Sequence, residues 1–153
     1  MRALLMLFIS LGLFTGVQAA DAVTGRIVKV LPFFLDAQGR EAKSPSLFDR
    51  DAYQAHLRAH TNEISAVRLD VNWKAAKAAG EPTRLRVELR SVGERGVPKL
   101  KTLEAEVTPG TFSQWTNFTL GGEEFKTFGS VVAWRATLWN GGRLLGEQKS
   151  FLG

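Results

Sequence analysis

Strict alternation of apolar and polar residues constrains the fold of this chain more than any other feature. Between Val67 and Trp73 every second residue is apolar, and the same pattern returns between Arg84 and Arg90. Successive side chains of a β-strand point to opposite faces of its sheet, so the alternation indicates strands with one buried face. The outward positions of both segments carry charged and amide side chains. The pattern therefore predicts sheets that are buried on one side only.

Seven segments have this strand character, and they begin at Thr24, Ala66, Arg84, Leu100, Gln114, Val131 and Arg143. Turn-forming residues separate them, and Asn140-Gly141 is the strongest signal because both residues tolerate the positive φ of a hairpin turn. We expect an all-β domain, a seven-stranded antiparallel sandwich with a short helical insert between the first two strands. In general architecture it resembles immunoglobulin and fibronectin type III domains. A closed barrel of the same strands is the alternative.

The N-terminal residues have the pattern of a secretory signal peptide. Arg2 precedes an apolar run from Ala3 to Phe14, and a small-x-small motif ends at Ala19. The run is shorter than the roughly 20 residues of a membrane span. We expect cleavage of residues 1–19, a single sandwich domain over residues 20–153, and no transmembrane segment after cleavage. The predicted localisation is periplasmic or secreted.

Composition narrows the function classes. The 153 residues include no cysteine, which excludes disulfides and thiol chemistry and suits a bacterial envelope protein. The formal net charge of +5 is mild, and without a basic cluster we expect no nucleic-acid partner. The sequence also lacks a nucleophile elbow, a Walker loop and a dinucleotide fingerprint. We therefore predict that the protein is not an enzyme and uses no cofactor.

The interval of about 45–61 is the one stretch that reads as a helix. Ser44 and Ser46 are competing N-caps, and Asp49 completes a capping box with the second. An apolar stripe at helical spacing consists of Phe48, Ala52, Ala55 and Ala59. We expect this stripe to bury the ring of Phe48 and to pack the helix on a sheet edge or over one end of the sandwich.

A second stripe of the same helix carries both histidines, and it consists of Asp49, Tyr53, His56 and His60. His56 and His60 lie one turn apart and can chelate a metal such as zinc. The sequence identifies no third ligand, and acidic residues at the start of a helix with basic residues at its end are what the helix dipole favours. We therefore interpret the stripe as structural and keep the two histidines as candidate metal ligands only.

Tryptophans provide candidate binding residues, because a flat ring stacks on sugars or proteins at low entropic cost. Strand parity places Trp134 in the core with Val132 and Ala136. The same parity argument turns Trp115 and Trp139 outward.

Arginines provide a second candidate surface. Arg84, Arg86 and Arg90 form an outward row, with Arg135 on a nearby strand. Such a row can bind carboxylate or phosphate groups, although charge on a strand also discourages edge aggregation.

These observations favour a non-catalytic, exported interaction module of the bacterial envelope that binds a protein partner. One alternative is a carbohydrate-binding module that holds an envelope polysaccharide through Trp115 and Trp139. The other is a small metal-binding protein or enzyme centred on His56 and His60.

Overall fold

The computed structural model describes residues 22–150, so the predicted signal peptide lies outside the described residues. Its strands are β1 (Gly25–Leu35), β2 (Ala66–Ala75), β3 (Thr83–Val92), β4 (Pro98–Val107), β5 (Gln114–Gly121), β6 (Val131–Asn140) and β7 (Arg143–Lys149). Two helices, α1 (Leu47–Ala59) and α2 (Gly122–Phe128), and two short 3₁₀ turns, Thr61–Glu63 and Glu94–Gly96, complete the described elements. None of the helices in this range is long and apolar enough to cross a membrane.

The strands form two antiparallel sheets, as the alternating pattern predicts. One sheet has the order β1-β2-β5 and the other the order β4-β3-β6-β7. The apolar positions of the strands meet between the sheets, and the most deeply buried of them are Leu69, Val71, Leu85, Val87, Leu89, Ala136 and Leu138. The prediction of an all-β sandwich is therefore confirmed.

The two sheets approach each other closely along β1 and β7 without forming a continuous barrel in the described residues. The side-chain amide of Gln148 donates to the carbonyl groups of Ile27 and Val28, at 3.4 and 3.3 Å. A Cβ at Gly146 would lie only 2.9 Å from the Cα of Arg26. This side of the sandwich thus needs glycine because the two backbones almost touch.

Helix α1 begins at the second of the two predicted N-caps. Ser46 accepts a hydrogen bond from the Asp49 amide at 3.4 Å, while the Ser44 hydroxyl donates to the Asp49 carboxylate. The buried face of α1 consists of Tyr53, Gln54 and Leu57.

The prediction that the Phe48 and alanine stripe packs on the sheet is therefore wrong. Phe48 is 81% exposed, and all three alanines of the stripe are exposed. Tyr53, Gln54 and Leu57 occupy the packing face instead. Tyr53 and Gln54 make hydrogen bonds there to Asp36 and Phe34, which the apolar pattern of the sequence does not reveal.

Two further local features differ from what the sequence predicts. Residues Gly122–Phe128, for which no helix was predicted, form α2, which buries Phe128. Val132 was placed in the core, but it is 45% exposed because the register of β6 against β3 shifts between Arg90 and Ser91. Trp134, beyond this shift, is partly buried and packs against the main core.

Candidate functional site

Five of the six predicted binding residues lie on one surface, the outer face of the four-stranded sheet. Arg84, Arg86 and Arg90 project from β3, and Arg135 and Trp139 project from the neighbouring strand β6. The β3-β6 register places Arg84 opposite Trp139. It also places Arg135 opposite Glu88, between Arg86 and Arg90. Residues opposite each other on paired strands share a face, so the five side chains form one surface, which we call the charged face.

Trp115 lies elsewhere. It projects from β5, opposite Asn72 of β2, on the outer face of the three-stranded sheet, and it is 52% exposed. Because β5 and β6 belong to different sheets, Trp115 and Trp139 lie on opposite sides of the sandwich. The structure therefore does not bring the two tryptophans together into one carbohydrate platform.

One carboxylate holds two arginines of the charged face. Glu104 of β4 accepts a hydrogen bond from Arg86 Nε at 2.8 Å and lies 3.4 Å from Arg84 Nη1. The hydrogen bond from Arg86 lowers the pKa of Glu104 below its usual value, and Arg84 acts in the same direction. Glu104 is therefore ionised at neutral pH, and it partly neutralises both guanidinium groups.

Arg135 is also paired. Its Nε donates to Glu147 of β7 at 2.9 Å, and its Nη1 lies 3.6 Å from Glu88 of β3. Arg90 forms no ion pair with any side chain that the structure describes. The charged face is thus an alternation of positive and negative groups rather than a continuous arginine row.

Trp139 is less exposed than the sequence suggests. The Arg86 guanidinium carbon lies 5.5 Å from the Trp139 ring centroid, a cation–π distance. The indole N–H donates to the Thr137 hydroxyl at 2.9 Å. One depression of about 370 Å³ lies beside Arg84, Arg86 and Trp139, and another of about 290 Å³ lies beside Arg90 and Arg135.

A second cluster lies where α1 ends. The rings of His56 and His60 stack with centroids 4.1 Å apart, and Glu63 Oε2 lies 2.8 Å from His56 Nε2. The hydrogen bond from His56 lowers the pKa of Glu63. No third donor beside the histidines was identified from the sequence, and the structure places Glu63 next to them. Glu63 follows His60 by three residues, and this short spacing is the signal in the sequence that could have indicated it.

Tyr53 links this cluster to the loop after β1. Its hydroxyl donates to Asp36 at 2.7 Å, and its ring stacks on His56 at 5.9 Å. Burial of the Asp36 carboxyl opposes its ionisation. The hydrogen bonds that it accepts from Arg40, Tyr53 and Gln38 outweigh this, and they lower its pKa to about 2. The carboxylate therefore stays charged and holds Tyr53 in place.

The two antiparallel sheets define an all-β sandwich that carries two polar clusters. Comparisons with known proteins assign this sandwich to no family. No protein-family model matches the sequence, and no curated protein matches it. Among solved structures, a β-glucosidase from Kluyveromyces marxianus is similar, at 10% identity and a TM-score of 0.33. The similarity covers 84% of this chain but 14% of the β-glucosidase chain. So weak a likeness supports no inference about activity.

Proposed function

We propose that the protein is a non-catalytic interaction module of the bacterial envelope that binds a protein partner through the charged face. The observation that supports this most is the collection of Arg84, Arg86, Arg135 and Trp139 on one open sheet surface. Arginine and tryptophan are the residue types that contribute most to the energetic centres of protein interfaces. A sheet face with this composition suits a broad, shallow contact.

The alternation of charge favours a protein partner over an anionic polymer. A polyanion would meet Glu88, Glu104 and Glu147 between the arginines, and these carboxylates would repel it. A protein surface carries both signs of charge and can match both. Depressions of about 290 and 370 Å³ on the charged face can each receive a side chain of the partner.

The type of β-sandwich is also part of what we propose. We infer a seven-stranded sandwich of the fibronectin type III kind within the immunoglobulin-like architectures. β4 pairs with β3, whereas in constant immunoglobulin domains the fourth strand joins the sheet of the first, second and fifth. The 3 + 4 division of the strands supports this assignment.

We also propose that the protein is exported from the cytoplasm. The pattern of residues 1–19 supports cleavage after Ala19 and a periplasmic or secreted domain. Mass spectrometry of protein recovered from the envelope fraction tests this, with a mature N-terminus at Ala20 expected. Recovery of the uncleaved chain from the cytosol would contradict it.

Capture from an envelope extract tests the charged face, with residues 20–153 as bait. A double variant, Arg86→Gln with Arg135→Gln, should weaken partner capture at least about tenfold, which corresponds to ~1.4 kcal/mol. The matched control is Lys29→Gln with Lys74→Gln, which removes the same charge from exposed positions of the three-stranded sheet. Equal capture by both double variants would exclude the charged face as the binding surface.

The carbohydrate alternative depends on Trp115, because Trp139 lies on the other sheet. Trp115 is 52% exposed, and Phe112, three residues earlier, is 80% exposed. If this surface binds an envelope polysaccharide, Trp115→Ala abolishes co-sedimentation with insoluble polysaccharide, and Trp139→Ala does not. The opposite pattern would rule out a site on the three-stranded sheet.

A further inference from the structure

We propose that His56, His60 and Glu63 form a binding site for one divalent transition-metal ion with the preferences of zinc. Each residue offers one ligand atom, and the three atoms lie within 4.8 Å of one another at the C-terminal end of α1. The site is separate from the charged face, which lies on the four-stranded sheet. It adds a third ligand to the candidate pair His56 and His60, against the interpretation of their helical stripe as structural.

The backbone brings the three residues together. His56 and His60 lie one helical turn apart, so their side chains share a face of α1. At His60 the chain leaves the helical conformation, with φ −125° and ψ 67°, and enters the turn Thr61–Glu63. The Glu63 amide donates to the His60 carbonyl at 2.9 Å. This turn directs Glu63 back towards His56.

One nitrogen of the His60 ring is held by the backbone. Its Nδ1 lies 2.9 Å from the His56 carbonyl oxygen, and since a carbonyl only accepts, Nδ1 carries the hydrogen. In the neutral ring, Nε2 then carries the lone pair that a metal ion can bind. Metal-binding histidines are commonly held in this way, by a backbone carbonyl on the other ring nitrogen.

His56 Nε2 and Glu63 Oε2 face each other across a hydrogen bond of 2.8 Å. A bound metal ion would lie between these two atoms in place of the hydrogen, and the neutral His56 ring would then carry its hydrogen on Nδ1. Tyr53 stacks on the other side of the His56 ring and is fixed by its hydrogen bond to Asp36, so the ring rests on a rigid support.

The donor set and its exposure suit zinc. Two imidazole nitrogens and one carboxylate oxygen are ligands of zinc sites, whereas magnesium and calcium prefer oxygen alone. At metal–ligand distances of about 2.0–2.2 Å, tetrahedral donors lie roughly 3.4 Å apart. The ligand atoms of His56 and Glu63 lie 2.8 Å apart and would open slightly to reach this spacing, while all three ligand atoms lie within 4.8 Å. The side chains of His56 and Glu63 are 39% and 42% exposed, so they have room for these small movements. Water can fill the fourth position.

One neighbouring charge opposes the ion. The Lys43 ammonium lies over the Tyr53 ring, 4.9 Å from its centroid, on the ring that stacks on His56. Removal of this charge should therefore strengthen metal binding, an effect that adventitious surface binding elsewhere would not show.

Calorimetric titration of the mature protein with ZnCl₂ tests the proposal. One equivalent of Zn²⁺ should bind, and an equal concentration of MgCl₂ should not compete. His60→Gln and Glu63→Gln should each weaken Zn²⁺ binding at least about tenfold, by analogy with the losses seen when supporting groups of metal sites are removed. The matched control is Glu123→Gln, which removes an exposed carboxylate from α2. Lys43→Gln should bind Zn²⁺ more tightly than the unaltered chain.

A second readout is the visible spectrum with CoCl₂, which should show the absorption of a low-coordinate Co²⁺ complex that ZnCl₂ abolishes. The side chains of His60 and Glu63 are both exposed. Their variants should therefore retain the far-ultraviolet circular dichroism of the fold. Absence of saturable Zn²⁺ uptake by the unaltered protein would overturn the proposal. So would Zn²⁺ binding that His60→Gln and Glu63→Gln leave unchanged.

Discussion

The side-chain amide of Gln54 pairs with both backbone hydrogen-bonding groups of Phe34. The Phe34 amide donates to Gln54 Oε1 at 2.8 Å, and Gln54 Nε2 donates to the Phe34 carbonyl at 2.9 Å. Phe34 lies on β1, an edge strand of its sheet, where a neighbouring strand would otherwise supply these partners. Helix α1 therefore covers an edge that would be open to intermolecular pairing.

Gln54→Leu should destabilise the domain by about 1–3 kcal/mol, because it leaves the backbone amide and carbonyl of Phe34 without partners. Urea unfolding measures the loss. Gln38→Leu, at an exposed loop position, is the control and should change the free energy of unfolding by less than about 0.5 kcal/mol. Equal effects of the two variants would contradict the role of Gln54.

Leu57 and Phe48 should respond in opposite ways to truncation. Leu57 is 0% exposed, so Leu57→Ala should reduce the free energy of unfolding by about 2–5 kcal/mol. Phe48 is exposed, and Phe48→Ala should change it by about 0.5 kcal/mol at most. A large loss of unfolding free energy on truncation of Phe48 would instead support the sequence-based prediction that the Phe48 and alanine stripe packs on the sheet.

Asp36 should make the fold sensitive to acid. Its pKa is lowered from 3.8 to about 2 in the folded state, so its stabilising effect is complete above about pH 4 and disappears as the pH falls through about 2. Asp36→Asn should therefore be less stable than the unaltered protein at pH 7, and the difference should shrink between pH 4 and pH 2.

Urea unfolding across this pH range measures the difference. Asp51→Asn is the control, because the Asp51 side chain is 75% exposed. A gap between Asp36→Asn and the unaltered chain that is constant with pH would show that the carboxylate does not stabilise the fold through its charge.

Truncation of Trp134 should destabilise the fold more than truncation of Trp115. Trp134 packs against the main core, so Trp134→Ala should destabilise by about 3 kcal/mol. Trp115 is half exposed on the opposite sheet, and Trp115→Ala should change stability by about 1 kcal/mol or less. Thermal and urea unfolding both measure this, and similar losses for the two would contradict their assignment.

Strand positions were predictable because alternation is a local property. Leu85, Val87 and Leu89 follow the period of two, and all three are fully buried. The pattern fails at Val132, where a shift of register against β3 breaks the alternation within one strand. A bulge of this kind depends on the neighbouring strand, so a single strand does not reveal it.

The candidate sites were predictable in part. Strand parity turned Arg86 and Trp139 outward, but it did not reveal that Glu104 of β4 neutralises Arg86. For the histidines, helical spacing paired His56 with His60. The third residue of the cluster, Glu63, is placed by the turn that follows α1, which helical spacing does not describe.

The sequence by itself determined which residues form strands and which of their faces are apolar, because side-chain alternation follows directly from strand geometry. Only the tertiary structure decided which strands are neighbours. The order β4-β3-β6-β7 joins Arg86 to Trp139 and separates both from Trp115. It also decided the packing face of α1, since Tyr53 and Gln54 are buried by hydrogen bonds to the distant residues Asp36 and Phe34. Such pairings depend on long-range geometry, which hydrophobic periodicity does not encode.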